Sequence, residues 1–399
     1  MRKLSYLAAF LAAFMMFSCT NNDNPVPGEE EKGDKTVELK IKSVITKSDD
    51  GAVINGAKTS IQDGVIYFFG ANNGCVYRYQ LTPTDITNLA GQTVAPISVL
   101  NVPAAANKVI LLTNYELAGY TYPLAAGNTV TSIKALPVNI TEQQPKANNM
   151  LVANVIMSGA ADIVIDTNPA TPLYAANVTI TPIMSRLEVS RVGVKGDGTQ
   201  VGDITEFRLR GVFIPNHYSV STVMDNVTTS FVNPVNDKTK YTNLFPTGSA
   251  PGYLNDYVDN TAVFPGLVHA APNSMWAYHV FPASGSANLP HIVVAVDQIK
   301  FRDTDGQVKL WNNGATKYIT VESYHVKDNV GMAITEFLPA NVYRIDGADG
   351  ENGPGKPGGW GGIIFELDDL GDTPYSKDKT VSCNITVTPW NVNLIEPNM

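Results

Sequence analysis

The side chains that could bind a metal or move protons fall into one acidic segment and five scattered histidines. The acidic segment holds Glu366, Asp368, Asp369 and Asp372, and clustered carboxylate oxygens suit calcium. Its spacing differs from that of an EF-hand loop, so a solvated strand end is the favoured interpretation. The histidines also lack the spacing of a metal site. They are His217, His269, His279, His291 and His325. The sequence therefore predicts a protein that is not an enzyme and needs no cofactor and no metal.

One thiol, Cys19, lies where thiols are modified during export. Residues 1–18 start with two cations and continue with an apolar stretch too short to span a membrane. Ser18 and Cys19 follow that stretch, as in a lipoprotein signal, in which the thiol receives a lipid and becomes the new N-terminus. Met16 and Phe17 depart from the usual residues, so an ordinary secretory signal stays an alternative. The favoured interpretation is that a lipid on Cys19 anchors the exported chain to a membrane.

Composition indicates a folded, acidic protein made of strands. The 399 residues carry 28 Lys and Arg against 37 Asp and Glu, a formal charge of −9, which argues against a nucleic-acid partner. Hydrophobic residues make up 44% of the chain, enough to bury a core. The remaining cysteines, Cys75 and Cys383, are predicted to be buried thiols, and a disulfide between them stays open.

The pattern along the chain divides it into four parts. Residues 1–18 are expected to be a signal peptide, and the polar residues 19–35 a flexible tether. Short apolar stretches separated by turn signals then predict an all-β fold of two consecutive β-sandwiches, over 36–184 and 185–399. Internal strands are expected at 65–69, 76–79, 108–114, 155–159, 178–180, 187–192, 207–214, 291–296, 317–321, 341–345 and 363–367.

The first strand of this region has a strict alternation of apolar and polar residues. Val37, Leu39 and Ile41 share one face, which is typical of a half-buried strand. A polar break follows and contains Lys47 and Ser48. Such breaks are the preferred sites of proteolysis.

The C-terminal segment 383–399 is predicted to form two short amphipathic strands in tandem. Its apolar phase moves by one residue after Pro389, which turns the buried face over unless a bend absorbs the shift. Proline cannot donate a ladder hydrogen bond and fits such a bend. The apolar positions are Ile385, Val387, Trp390, Val392 and Leu394.

Several sequence blocks, in this order, resemble the FimA-like fimbrillins of Bacteroidetes, which are the subunits of type V pili. The resemblance spans almost the whole chain and implies two transthyretin-like sandwiches behind a lipoprotein start. The blocks are 106–114 (ANKVILLTN), 156–159 (IMSG), 185–189 (SRLEV), 207–216 (FRLRGVFIPN), 338–345 (LPANVYRI) and 387–392 (VTPWNV).

The resemblance also implies how such a subunit assembles. A lipidated precursor reaches the outer membrane with its first strand, 36–47, covering a groove in its own N-terminal sandwich. A trypsin-like protease removes that strand, and the cut maps to the bond between Lys47 and Ser48, where family members often carry Arg. The tail 383–399 of another subunit then fills the groove. Repetition gives an extracellular fimbrium that supports adhesion.

By this resemblance, specific residues of the chain receive roles. Val37, Leu39 and Ile41 belong to the removable strand. The partners are other copies of the chain and other pilus subunits, the outer membrane through the lipid, and a surface receptor that the sequence does not identify. The donor residues are Ile385, Val387, Trp390, Val392 and Leu394.

Other interpretations of these segments stay open at this stage. Residues 37–45 fit a permanent edge strand, Lys47 fits an exposed loop lysine, and residues 385–394 fit pairing within their own domain. Lys35 is a second candidate for the cut. The alternative function is a monomeric outer-membrane lipoprotein, or a pilus-tip adhesin, that binds a glycan or a host protein.

Overall fold

Strands form where the sequence alternates apolar and polar residues or stays apolar for several positions. Gly64–Phe69 is buried at every position, whereas buried and exposed side chains are interspersed in Ile97–Val102. The predicted all-β class is confirmed. The computed structural model describes residues 34–43, 61–90, 96–140, 155–166, 173–232, 254–263, 266–269, 276–326, 332–345, 362–374 and 380–389.

Strands up to residue 182 form one sheet, with a single exception. They are β1 (Lys35–Ser43), β2 (Gly64–Phe69), β3 (Cys75–Gln80), β4 (Ile97–Val102), β5 (Lys108–Thr113), β6 (Pro137–Asn139), β7 (Met157–Asp162), β8 (Val164–Asp166) and β9 (Leu173–Pro182). The order across this first sheet is β3–β2–β5–β7–β9–β1–β4, with β8 beside β9. Strand β6 belongs to the next sheet.

The later strands form a larger sheet and two small ones. They are β10 (Ser185–Val189), β11 (Arg191–Val194), β12 (Ile204–Thr222), β13 (Thr229–Val232), β14 (Leu254–Val263), β15 (Leu267–His269), β16 (Trp276–Val280), β17 (Ala283–Ser284), β18 (His291–Arg302), β19 (Val308–Leu310), β20 (Lys317–Val326), β21 (Glu336–Phe337), β22 (Asn341–Ile345), β23 (Ile363–Phe365) and β24 (Thr380–Pro389). The main order is β13–β12–β18–β20–β24–β22–β10–β16. Strands β6 and β14 pair with β12, and β19 pairs with β18.

The single strand expected over 187–192 is in fact two strands. Strands β10 and β11 lie on either side of Ser190, and they belong to different sheets, since β11 lies between β15 and β23. The remaining small sheet joins β17 to β21.

The chain leaves the first sheet after β9 and enters the main sheet at β10.

Two α-helices lie in the described residues: α1 (Pro83–Ala90) and α2 (Val130–Lys134). Helix α2 starts with a reciprocal cap in which Thr129 and Ser132 bond to each other's backbone amides. In the part of the chain that the structure describes, neither helix has the length and apolar character to cross a membrane.

An ion network is buried on the main sheet. The Glu188 side chain is fully buried; Nε of Arg186 donates to its Oε1 at 2.6 Å, and Nε of Arg344 donates to its Oε2 at 2.7 Å. Burial alone would raise the pKa of Glu188, but the two guanidinium groups hold it below its ordinary value. The network links neighbouring strands, β10 and β22.

Two histidines on the central strands make the fold sensitive to acid. Burial lowers the pKa of His217, on β12, and of His291, on β18, from 6.5 to about 4. Between these pH values the unfolded chain binds protons that the folded chain excludes. The contribution of these two histidines to the free energy of unfolding is therefore complete above pH 6.5 and is lost as the pH falls toward 4. For His217, which is 1% exposed, we expect a loss of about 3 kcal/mol.

Thermal unfolding at several pH values between 7 and 4 measures this effect. The variant His217→Phe should lose part of the dependence of Tm on pH. Ser219→Ala, two positions away on β12, keeps both histidines and should keep the original dependence. If His217→Phe kept the original dependence, the burial argument would be wrong.

Candidate functional site

Strand β1 lies inside the first sheet and is bonded to a neighbour on each side. It runs parallel to β9, with Val37 opposite Tyr174 and Ser43 opposite Ile180. It runs antiparallel to β4, with Leu39 opposite Ile97. Within the described sheet, β1 is what joins β4 to the rest. Removal of β1 would therefore leave two strands with unpaired backbone groups.

The side chains of β1 follow the predicted alternation. Val37 and Leu39 are fully buried, and Ile41 is 2% exposed. Between them, Glu38 is half-buried and Lys40 is exposed. One face of β1 thus packs into the core, and the space that it fills, between β9 and β4, is called the β1 slot below.

The start of β1 is held by the ammonium group of Lys35, a role that the sequence pattern does not indicate. Nζ of Lys35 donates to the carbonyl oxygens of Ala104 and Ala106. It also lies 4.5 Å from the ring centroid of Tyr174, within reach of a cation–π interaction. Burial lowers the pKa of Lys35. These partners are about 70 or more positions away in the chain, so no local pattern reveals them.

The predicted cleavage site lies in a part of the chain that the structure does not describe. Lys47 and Ser48 lie outside the described residues, which resume at Ile61 after Ser43. Their role therefore stays a prediction. The last described residue of β1 is Ser43, four positions before Lys47.

The first half of the predicted donor segment lies in the chain's own main sheet. Strand β24 pairs in parallel with β20 up to Ile385 and antiparallel with β22 over 386–389. Ile385 is fully buried, whereas Val387 is 39% exposed. Trp390, Val392 and Leu394 lie outside the described residues. In this conformation Ile385 belongs to its own core, and it would have to leave that core to enter another subunit.

The two remaining cysteines are in the thiol form. Cys75 on β3 and Cys383 on β24 are both buried, and each is 4% exposed. Burial raises the pKa of Cys383 to about 12, so this thiol is neutral and unreactive at physiological pH.

The acidic segment gives its carboxylates separate partners. Glu366 pairs with Lys195 at 3.0 Å, Asp369 accepts the backbone N–H of Glu366 at 2.8 Å, and Asp372 pairs with Lys317. Across the described ranges, no three His, Cys, Asp or Glu side chains are placed to hold a metal ion.

The comparisons with known proteins give similar folds among solved structures. No family model and no curated protein matches the chain. A protein of Parabacteroides distasonis assigned to cell adhesion is 15% identical, with 90% of this chain and 98% of that chain aligned and a TM-score of 0.50. The likeness shows the fold. The alignment covers 90% of this chain, so the similarity in fold is not confined to one of the two predicted domains.

Two further structures are similar over the same extent. One is a fimbrilin of Porphyromonas gingivalis, at 13% identity, 91% and 99% coverage and a TM-score of 0.48. The other, assigned to cell adhesion, comes from Bacteroides eggerthii, at 16% identity, 92% and 98% coverage and a TM-score of 0.48. The predicted resemblance is confirmed at the level of the fold by the Parabacteroides distasonis structure.

Proposed function

We propose that the chain is a structural, non-enzymatic subunit of a cell-surface fimbria that assembles by strand exchange. The observation that carries the proposal is the interior position of β1. The amphipathic first strand sits between β9 and β4, so its loss would leave backbone groups unpaired on both neighbours. The neighbours' assignment to adhesion and fimbriae agrees with this role.

The physical chemistry of the β1 slot makes it a binding site once β1 is gone. Unpaired N–H and C=O groups on two strands form a template for an incoming strand. An extended donor supplies the ladder hydrogen bonds, and its alternating side chains refill the pockets of Val37, Leu39 and Ile41. The donor of one subunit binds the slot of the next, which is a head-to-tail contact. Such contacts build a filament when the repeated rotation does not close into a ring.

We propose that β1 is released by a cut after Lys47. A protease binds its substrate as an extended strand with free backbone groups, and exposed breaks provide such strands. Lys40 lies within β1, where the ladder occupies the backbone. The ammonium of Lys35 is already bonded to two carbonyls. Lys47 belongs to the polar run 46–51 that the sequence predicts as an exposed break.

The variant Lys47→Gln should block maturation. A trypsin-like pocket requires a cation at this position, so the surface protein should keep its N-terminal segment. Lys40→Gln, on the exposed face of β1, is the matched control and should mature normally. Mass spectrometry of the N-terminus on intact cells should find Ser48 first in the control. A mature N-terminus at Thr36 would contradict the assigned cut.

The proposed donor is the tail 383–399 of a neighbouring subunit. Support comes from its amphipathic pattern and from the exposure of Val387. Within the described residues, 386–389 pair with β22, and 380–385 pair with β20. The donor side chains are Ile385, Val387, Trp390, Val392 and Leu394.

The same proposal implies a cellular location and a set of partners for the chain. The precursor is held at the outer membrane by a lipid on Cys19, and the trimmed chain joins an extracellular fimbrium. Its partners are other copies of itself and other pilus subunits. No cofactor is needed because the energy of assembly comes from strand pairing and side-chain burial.

A further inference from the structure

A cleft of about 440 Å³ lies at the start of β20, outside the β1 slot. Its walls come from the turn before β20 and from the segment after β23. The volume falls within the ~300–1,000 Å³ that is usual for small-ligand sites. The residues that matter for its chemistry are Trp311, Asn312, Lys317, Leu370, Asp372 and Thr373.

The cleft combines an aromatic ring with several polar side chains. Trp311 is partly exposed, and Nζ of Lys317 lies 5.3 Å from its ring centroid. The same ammonium pairs with Asp372, whose side chain is 84% exposed. Asn312 and Thr373 are exposed. A flat ring beside carboxylate, ammonium, amide and hydroxyl groups matches a sugar, which has apolar C–H faces and a rim of hydroxyls.

The turn that carries Trp311 is held in an unusual backbone conformation. Asn312, Asn313 and Gly314 have φ angles of 46°, 54° and 72°, so three consecutive residues lie in the left-handed region. Nε2 of Gln298 donates to the carbonyl oxygen of Gly314 at 3.3 Å. This bond ties the turn to β18.

Charge and backbone bonding narrow the class of ligand. Lys317 and Asp372 neutralise each other, and the whole chain carries −9, so an anion gains little here. The backbone groups of Tyr318 and Gly371 bond to each other at 3.0 and 2.9 Å, which removes the ladder that an added peptide strand would need. We propose that this cleft binds a short neutral saccharide.

The cleft and the proposed donor end lie at opposite ends of one strand pair. Lys317 begins β20, and Val326, nine residues later, pairs with Ile385. At roughly 3.3 Å per residue, the two ends are about 30 Å apart. The proposed donor segment 383–399 contributes none of the residues that line the cleft. The inference also holds for a monomer, so it does not require the assembly proposed above.

An array of neutral oligosaccharides, with sialylated and sulfated counterparts, tests this proposal on the full chain. We expect neutral glycans to bind, with little effect of added salt. Titration with the best neutral glycan, followed by saturation-transfer NMR, should show at least tenfold weaker binding for Trp311→Ala. Leu310→Ala changes the adjacent, 45% exposed side chain and should bind as the original chain does.

Three results would overturn the inference. They are the absence of any neutral glycan bound, equal affinity of Trp311→Ala and the original chain, and a preference for anionic glycans that salt abolishes. Circular dichroism of both variants separates a lost contact from lost folding. If Trp311→Ala did not fold, Thr373→Ala would replace it; this substitution removes an exposed hydroxyl of the cleft and should weaken binding. Normal affinity of Thr373→Ala would then count against the cleft.

Discussion

Chains that begin at Ser48 should polymerise, whereas chains that keep β1 should stay monomeric. Removal of β1 takes Val37, Leu39 and Ile41 out of the core, which together represent about 5–9 kcal/mol of gross burial. It also leaves β9 and β4 without the strand between them. A neighbour's tail restores both the burial and the ladders, and the subunit's own tail remains available for the next copy.

Non-boiled gels, size-exclusion chromatography and electron microscopy measure this conversion. Most of the trimmed protein should run as a ladder of oligomers, and deletion of 387–399 from the trimmed chain should return it to a monomer. A trimmed chain that stays monomeric and well folded would contradict the proposal, because it would show that the slot needs no donor.

A peptide spanning 34–47 supplies the matched control. Added to trimmed chains, it should occupy the slot and prevent polymer growth. The same peptide with Leu39→Asp should fail, since an unpaired charge would enter the core. With Lys40→Asp, on the exposed face, it should still work. If the two altered peptides inhibited polymer growth equally, the side chains on the buried face of β1 would not determine binding in the slot.

Local patterns in the sequence predict individual strands well. Strand β1 starts two residues before the alternating run 37–42 and ends one residue after it. The hairpin of β2 and β3 also matches, because the turn residues between two apolar runs are adjacent in the chain. Burial of Val37, Leu39 and Ile41 follows from a period of two residues, which needs no knowledge of the neighbouring strands.

Features that depend on distant partners could not be predicted in this way. Ser190 separates two strands because β10 pairs with β16 and β22, whereas β11 pairs with β15 and β23. Strand β12 runs for 19 residues through Pro215, since its register with β18 shifts between Phe213 and Asn216. A shift of this kind accommodates a residue that cannot donate a ladder bond. Sequence alone suggested a shorter strand, 207–214.

The candidate site shows the same limit. The pattern of 383–399 predicts an amphipathic tail, but it does not reveal which sheet Ile385 joins. The structure places that residue between β20 and β22, in its own chain. Likewise, the contacts of Lys35 with Ala104, Ala106 and Tyr174 involve residues far away in sequence. The alternation of apolar and polar residues identifies a strand that fits the β1 slot. Contacts with residues distant in sequence determine how stable that strand is in its place.

Glu188→Ala should cost about 3–5 kcal/mol of folding free energy, the usual effect of removing one partner from a buried ion pair. The substitution leaves two guanidinium groups, those of Arg186 and Arg344, facing each other without the carboxylate that both contact. Urea denaturation at pH 7 measures the loss. Lys134→Ala breaks a more exposed pair with Asp225 and should cost about 1 kcal/mol or less.

The position of this network connects its energetics to assembly. Arg344 lies opposite Thr386 on β24, so the strand that must loosen during exchange is next to the strand that the network ties to β10. If the network holds β22 in place while the tail leaves, trimmed Glu188→Ala chains should unfold rather than polymerise. Replacing Arg186, Glu188 and Arg344 together with apolar residues of similar volume removes every uncompensated charge and should restore much of the stability. A triple variant as unstable as Glu188→Ala would show that packing, and not unpaired charge, causes the loss.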